Sequence, residues 1–322
     1  MGRQSVRPLG GSRYMVMMGK PRNLTAEAYA KVNVHLEIGP LREDGYHDIA
    51  SIFQRISLSD TITVSVREAR AFSCHIQGMD EVPRESNTMY RSARLFCQRS
   101  AIAAEVSIHC EKRIPAQAGL GGGSTDAATV LHLLNRLFGR PFGPQAIQEL
   151  ALTIGSDVPF FSSGAGAAYV EGRGERLTWL PGRDDLEGLV IMPTAFSNST
   201  ARLFAELDKW RLADGRARTS VSKAVLCQAY SQPCAQWPFW NDFRLVMGEH
   251  EDWYRELERI VAGFPECYGT VSGSGAAFCV LTPEMDSLQK IIENYQKNCH
   301  CFMLFPIKCL HADGTDDTFW LQ

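Results

Sequence analysis

The stretch from Pro115 to Ala128, PAQAGLGGGSTDAA, constrains this chain more than any other. Gly119, Gly121, Gly122 and Gly123 free the backbone for left-handed and close-approach conformations. Ser124, Thr125 and Asp126 follow with helix-capping chemistry. Ala127, Val130, Leu131, Leu134 and Phe138 then recur on one helical face, until Gly139 and Pro141 stop the pattern. A glycine loop feeding a helix N-terminus gathers free N–H groups and the positive end of the helix dipole at one point, which suits a phosphate. Two common loops are excluded. A Walker A loop carries Lys before its Ser or Thr, whereas Ser124 follows Gly123 directly. A dinucleotide fingerprint needs a third Gly or Ala where this chain has Ser124. A ligand-free glycine turn is the plainer alternative, but such a turn rarely needs four glycines and a cap.

Upstream, AKVNVHLEI alternates Val32, Val34, Leu36 and Ile38 with Lys31, Asn33, His35 and Glu37, which predicts a strand from Leu24 to Ile38. Lys31 and Asn33 share one face; from the pattern alone that face reads as solvent-exposed. Asp44-Gly45 signals a hairpin turn that presents Tyr46 and His47. Strands are expected at 49–58, 61–66 and 105–114, and a helix at 87–100 with Ser86 as cap. Beyond the loop a helix runs from Gln145 to Ile154, and Gly155 ends it. Val158 precedes a proline and should be extended, which leaves Asp157 on a short, stiff turn beside Phe160 and Phe161. A turn or capping aspartate is the ordinary use of such a residue; a half-buried one can serve as a base.

Residues 181–188 read as a domain junction, after which GLVIMP begins a strand. Asn198, Ser199 and Thr200 can cap the helix ARLFAELDKW, with Phe204 one turn in. A long helix is expected from Asn241 to Val261. A strand, a loop at Gly273-Ser274-Gly275, a strand, a helix from Met285 to Lys297 and a last strand follow. That alternation suggests helices packed on a sheet face.

A length of 322 residues fits two domains or one large one. The net charge of -3 gives no support for broad binding to nucleic acid or membrane. No apolar run reaches membrane-spanning length. The ten cysteines lack the spacing of a secreted disulfide framework and read as reduced, cytosolic thiols. Cys299, His300, Cys301, Cys309 and His311 have donor types that suit zinc; a cysteine-bearing core strand is the plainer reading. Residues 1–26 carry Arg3, Arg7, Arg13, Lys20 and Arg22 without an acid. That composition is similar to a transit peptide, and also fits a solvated tail or an over-long start before Met15, Met17 or Met18.

Together these stretches resemble the GHMP kinases. The superfamily signature Pro-x-x-x-Gly-Leu-Gly-Gly-Gly/Ser-Ser is carried by Pro115, Gly119, Leu120, Gly121, Gly122, Gly123 and Ser124, and its late glycine loop by Gly273 to Ala276. AKVN at 30–33, DGYH at 44–47, GLGGGSTDAA, GSDVPFF at 155–161 and SGSGAAF occur in the order found in the branch acting on a cytidine-diphosphate-linked methylerythritol. Thr125 stands where that branch usually has a second Ser.

The resemblance implies an α+β, two-domain GHMP kinase fold. After an N-terminal extension at 1–22 it places a ribosomal protein S5 domain 2-like ATP-binding domain at 23–184. A ferredoxin-like α/β sandwich follows at 185–322. It implies ATP and Mg2+, phosphorylation of the 2-hydroxyl of that substrate in the non-mevalonate route to isoprenoid precursors, and Lys31 and Asp157 as the catalytic pair. ATP would lie along Pro115, Ala116, Gln117, Ala118, Gly119, Leu120, Gly121, Gly122, Gly123, Ser124 and Thr125, with Asn87 nearby; Ser124 or Thr125 would touch Mg2+. Tyr46 and Phe204 would stack on the cytosine and His47 would bond its edge, with Asn33 and Thr200 near the erythritol and its phosphates. The implied partner is a small molecule carrying a cytidine diphosphate, with no nucleic acid and no membrane. The implied assembly is a monomer or homodimer in a bacterial cytoplasm, with plastid import left open by the basic N-terminus. Another small alcohol such as homoserine or mevalonate, a silent nucleotide sensor, and an ATP-coupled decarboxylating lyase are the competing readings.

Overall fold

The computed structural model describes residues 22–79, 81–214, 220–296 and 302–311. The basic segment up to residue 21, and Cys299, His300 and Cys301, lie outside the described residues.

Strands β1 (Arg22–Leu41) and β2 (His47–Glu68) form a long antiparallel hairpin closed by a turn in which Gly45 has φ 80°. The two strands expected at 49–58 and 61–66 are one continuous strand, which runs through a register shift opposite Tyr29 and Lys31 without ending. Strands β3 (Ser73–Gln77), β4 (Ala104–Glu111), β5 (Ala167–Gly172) and β6 (Arg176–Leu180) complete the sheet in the order β3-β4-β2-β5-β6, with β1 on β2.

Helices α1 (Thr88–Ser100), α2 (Gly122–Leu137), α3 (Pro144–Ile154) and α4 (Val158–Ser162) pack with this sheet. Their shared core includes Phe53, Val64, Phe96, Leu131 and Leu134. Helix α2 is buried nearly all round, from Thr125 to Leu131 without a gap. Ala127, Ala128 and Thr129 keep it slim enough to lie between its neighbours. Each fully buried leucine contributes roughly 1.5–3 kcal/mol, so α2 is well anchored behind the glycine loop.

Local chemistry corrects three sequence expectations here. The cap of α1 is Asn87, not Ser86: its side chain accepts from Met89 N at 2.9 Å. Helix α2 starts earlier than Ser124, with Gly121 as its left-handed cap at φ 74° and the glycines as its first turn. Val158 is not extended but opens α4, because proline is well tolerated in the first turn of a helix.

The second sheet is fully antiparallel, in the order β10-β7-β9-β8. Its strands are β7 (Glu187–Pro193), β8 (Tyr268–Val271), β9 (Phe278–Thr282) and β10 (Phe302–Lys308). Helix α5 (Thr200–Asp214) follows β7, then α6 (Lys223–Tyr230) and α7 (Glu251–Val261), and α8 (Met285–Gln296) joins β9 to β10. This is the expected ferredoxin-like split β-α-β order with additions. The long helix expected from Asn241 is broken into 3-10 turns at Asp242–Val246 and Gly248–His250 before α7. Asn241 bonds Phe243 N through its own side chain, a local contact that competes with helix, and Gly248 adds a weak position.

The strand face carrying Lys31, Asn33 and His35 is not solvated. These residues are 3%, 3% and 0% exposed, because the glycine loop meets Lys31 and later parts of the chain meet Asn33 and His35. Asn33 N donates to Ser272 Oγ at 3.1 Å, and Leu36 N to Trp240 O at 2.8 Å. Cys309 is buried and bridges Ile56, as a core cysteine would. No cluster of potential metal ligands occurs among the described residues.

Candidate active site

Two glycine loops from distant parts of the chain lock together. Ala276 N donates to Gln117 O at 3.2 Å and Ala277 N to Ala118 O at 3.3 Å. Ser272 Oγ donates to Gly119 O at 2.9 Å. Gly119 has φ 74°, and a Cβ there would lie 1.9 Å from Ser272 O. Only glycine permits that approach. The loop is therefore held from both sides before any ligand arrives.

On one side of the loop is a cavity of about 400 Å³, lined by Asn87 and by every residue from Pro115 to Ser124. Thr125 is fully buried, has no hydrogen-bond partner at Oγ1 among the described residues, and is not among that cavity's lining residues. Lys112, which the sequence reading passed over, also lines it. Its Nζ donates to Asp126 at 3.0 Å and to Asp60. Asp60 in turn accepts from Arg113 N at 2.6 Å and Ile114 N at 2.9 Å. Burial, with Asp60 adding, pushes the Asp126 carboxyl up to about 8 against the pull of Lys112. Burial opposes the charge on Lys112, but its two acids raise it on balance.

On the other side is a cavity of about 1070 Å³, and Gln117, Gly119 and Gly121 line both. Lys31 enters it from β1, with Nζ 2.9 Å from Gly119 O and bonded to Asn33 Oδ1. Nζ lies 3.9 Å from Asp157 Oδ2 and 4.7 Å from the centre of the Phe53 ring. Burial lowers the lysine below its ordinary value, and Asp157 and Cys279 oppose that shift. Asp157 precedes α4 but makes no side-chain cap bond, and its side chain keeps 32% exposure. Its carboxylate is therefore open to the cavity. Asn33 Nδ2 donates to Ser51 Oγ at 2.9 Å, which fixes the amide beside Lys31.

Tyr46, His47, Phe204 and Thr200 line the same large cavity. Tyr46 is 48% exposed, with the Arg173 guanidinium 3.7 Å from its ring centre. His47 stacks on Phe204 at 4.8 Å and 15°, and its Nδ1 donates to Gly39 O at 2.9 Å. One face of Phe204 is thus already covered, and Phe243 meets it at 5.0 Å. Thr200 Oγ1 lies 2.7 Å from Ser274 Oγ, which ties the start of α5 to the second glycine loop. Arg173 and Asp208 also line the cavity and were missed in the sequence. Only the tight turn at Gly172 and Gly174, both with positive φ, marked Arg173 as presented.

A loop shaped for phosphates, shared by two cavities, with a lysine and an open carboxylate on its far side, is the organisation of a small-molecule kinase of the GHMP class. Residues 87–165 match the family described as GHMP kinases N terminal domain. Over 286 residues the chain is 34% identical to 4-diphosphocytidyl-2-C-methyl-D-erythritol kinase from Treponema pallidum (strain Nichols), covering 87% of this chain and 97% of that one. It is 36% identical to the kinase of that name from Neisseria meningitidis serogroup C over 80% of this chain and 85% of the relative. A crystal structure of 4-(cytidine 5'-diphospho)-2C-methyl-D-erythritol kinase superposes with TM-score 0.69 at 28% identity, over 88% of this chain and 99% of that chain. A mevalonate kinase structure, at 13% identity and TM-score 0.59 over 90% of this chain and 100% of that one, shares the fold. The chain belongs to the 4-diphosphocytidyl-2-C-methyl-D-erythritol kinase family and is an ATP-dependent phosphotransferase.

Proposed function

We propose that this enzyme transfers the γ-phosphoryl group of ATP to the 2-hydroxyl of 4-diphosphocytidyl-2-C-methyl-D-erythritol, in the non-mevalonate route to isoprenoid precursors. The observation that carries this reading is that Gln117, Gly119 and Gly121 line both cavities. ATP on the loop and an alcohol in the larger cavity would meet across it. Asp157 accepts the proton that the alcohol loses as its oxygen bonds to phosphorus. Lys31, held by Gly119 O and Asn33, offsets charge on the transferring group. Phosphoryl transfer asks little of the protein beyond such positioning and electrostatics.

Ser124 and Asp126, whose Oδ2 accepts from Lys112 Nζ, line the nucleotide cavity with oxygen atoms. These are the donors Mg2+ takes, and Mg2+ entering with ATP would neutralise charge between its phosphates. At the far end of the larger cavity Tyr46 and Phe204 offer faces to the cytosine, His47 reads its edge, and Asn33 and Thr200 lie toward the erythritol and its phosphates.

The test is ADP release with the cytidyl substrate, mevalonate and homoserine in turn, with and without a Mg2+ chelator, followed by product analysis. Mg2+-dependent turnover of the cytidyl substrate alone, giving a stable phosphomonoester, supports the reading. Preference for either other alcohol, or release of carbon dioxide, contradicts it.

A further inference from the structure

Asp208 lies four residues beyond Phe204 on α5, so the two side chains share one face of that helix. Its carboxylate lines the larger cavity with 30% side-chain exposure. Oδ2 lies 3.4 Å from His47 Nε2. The imidazole cannot easily turn away, since Nδ1 is bonded to Gly39 O and the ring is stacked on Phe204. The cations nearest in sequence are engaged elsewhere: Lys209 with Glu206, and Arg211 with the carbonyls of Ile38 and Gly39. Among the described residues Asp208 makes no ion pair with a lysine or arginine. It is a partly exposed carboxylate that lines the cavity with the His47 imidazole beside it.

We infer that Asp208 selects the base of the substrate, by accepting a hydrogen bond from an exocyclic amine. An acidic side chain accepts from the 4-amino group of cytosine, and a uracil puts a carbonyl oxygen at that place. Two acceptors would then face each other, and the hydrogen bond that the amino group makes would be lost. The amino pyrimidine is admitted and the 4-oxo pyrimidine is rejected. Tyr46, with Arg173 over its ring, and Phe204, with His47 over one face, offer stacking that either base satisfies, so discrimination falls to the edge. The inference rests on the placement of the base between Tyr46 and Phe204.

The experiment compares kcat/KM for the cytidyl substrate and its uridyl counterpart in the wild-type enzyme and in Asp208→Asn, Asp208→Ala and Phe204→Leu, each checked for folding by thermal melting. The wild-type enzyme is expected to prefer the cytidyl substrate by about tenfold or more. Both Asp208 variants narrow that ratio, mainly through a raised KM for the cytidyl substrate, while Phe204→Leu weakens both substrates and leaves the ratio in place. An unchanged ratio in both Asp208 variants, with Phe204→Leu weakening both substrates, overturns the role of Asp208 and leaves the base cavity standing. If Phe204→Leu affects neither substrate, the placement of the base fails and the inference fails with it.

Discussion

Asp157 presents a carboxylate oxygen 3.9 Å from Lys31 Nζ while making no cap bond to the helix that it begins. The gap is wider than a hydrogen bond. A hydroxyl can therefore settle on Asp157 without first breaking a strong contact. Lys31 is meanwhile held by Gly119 O and Asn33, so its charge stays beside the loop.

Burial lowers Lys31 from the 10.5 of an ordinary lysine, with Asp157 and Cys279 opposing. Below its folded pKa the side chain is charged and active; above it the charge is lost. The alkaline limb of the kcat/KM profile should lie below that of an ordinary lysine. A flat profile through that region would contradict the assignment of Lys31.

Gly119→Ala tests the joint between the loops. A Cβ would meet Ser272 O at 1.9 Å, and the residue has φ 74°, where side chains are strained. The variant should lose about 1–3 kcal/mol of stability and most of its turnover, because Lys31 leans on the same residue's carbonyl. An unchanged Tm together with full activity would show that the joint is loose.

Asp126 gives a pH-dependent stability term. Its folded carboxyl is raised to about 8 by burial and by Asp60, from 3.8. Between those values the unfolded chain has released a proton that the folded chain retains, so stability falls as pH rises through that window. Asp126→Asn removes the term and should gain about 1 kcal/mol or more relative to wild type near pH 8, roughly 2–4 °C in Tm. Thermal melts of both proteins from pH 5 to 9 check this; parallel curves would mean that Lys112 holds Asp126 ionised throughout.

Tyr46→Leu removes one stacking face from the cavity. A stacked base is worth roughly 1–3 kcal/mol, so KM for the cytidyl substrate should rise about five- to hundredfold while kcat changes little. Arg173→Ala should do the same more weakly, since it frees the Tyr46 ring without removing it. Initial-rate kinetics decide; a normal KM in Tyr46→Leu places the base elsewhere.

The parts legible in the sequence share a local cause. The loop from Gly119 to Gly123, the helix behind it and the alternation around Lys31 follow from glycine freedom and hydrophobic period, both of which act over short stretches. Pattern alone put Lys31 on a solvent face, and only the family resemblance brought it into the site; Gly119 and Leu120, which meet it there, lie far along the chain. Asp60 on β2, Lys112 just after β4 and Asp126 on α2 meet from three separate elements, a contact that no spacing announces. Asp208 looks in sequence like any charged position on an amphipathic helix. The boundary errors at Asn87, Gly121 and Val158 are cap competitions: several neighbouring residues could cap or start the helix, and packing chose among them.

The most direct test of the account is single-turnover phosphoryl transfer to the cytidyl substrate by the wild-type enzyme and by Asp157→Asn, with the melting temperature of each recorded. The wild-type enzyme should form ADP and phosphomonoester in equal amounts. The variant should melt normally and transfer about a hundred- to ten-thousandfold more slowly. Transfer at close to the wild-type rate by a folded Asp157→Asn enzyme would contradict the account, because the proton acceptor would then lie elsewhere.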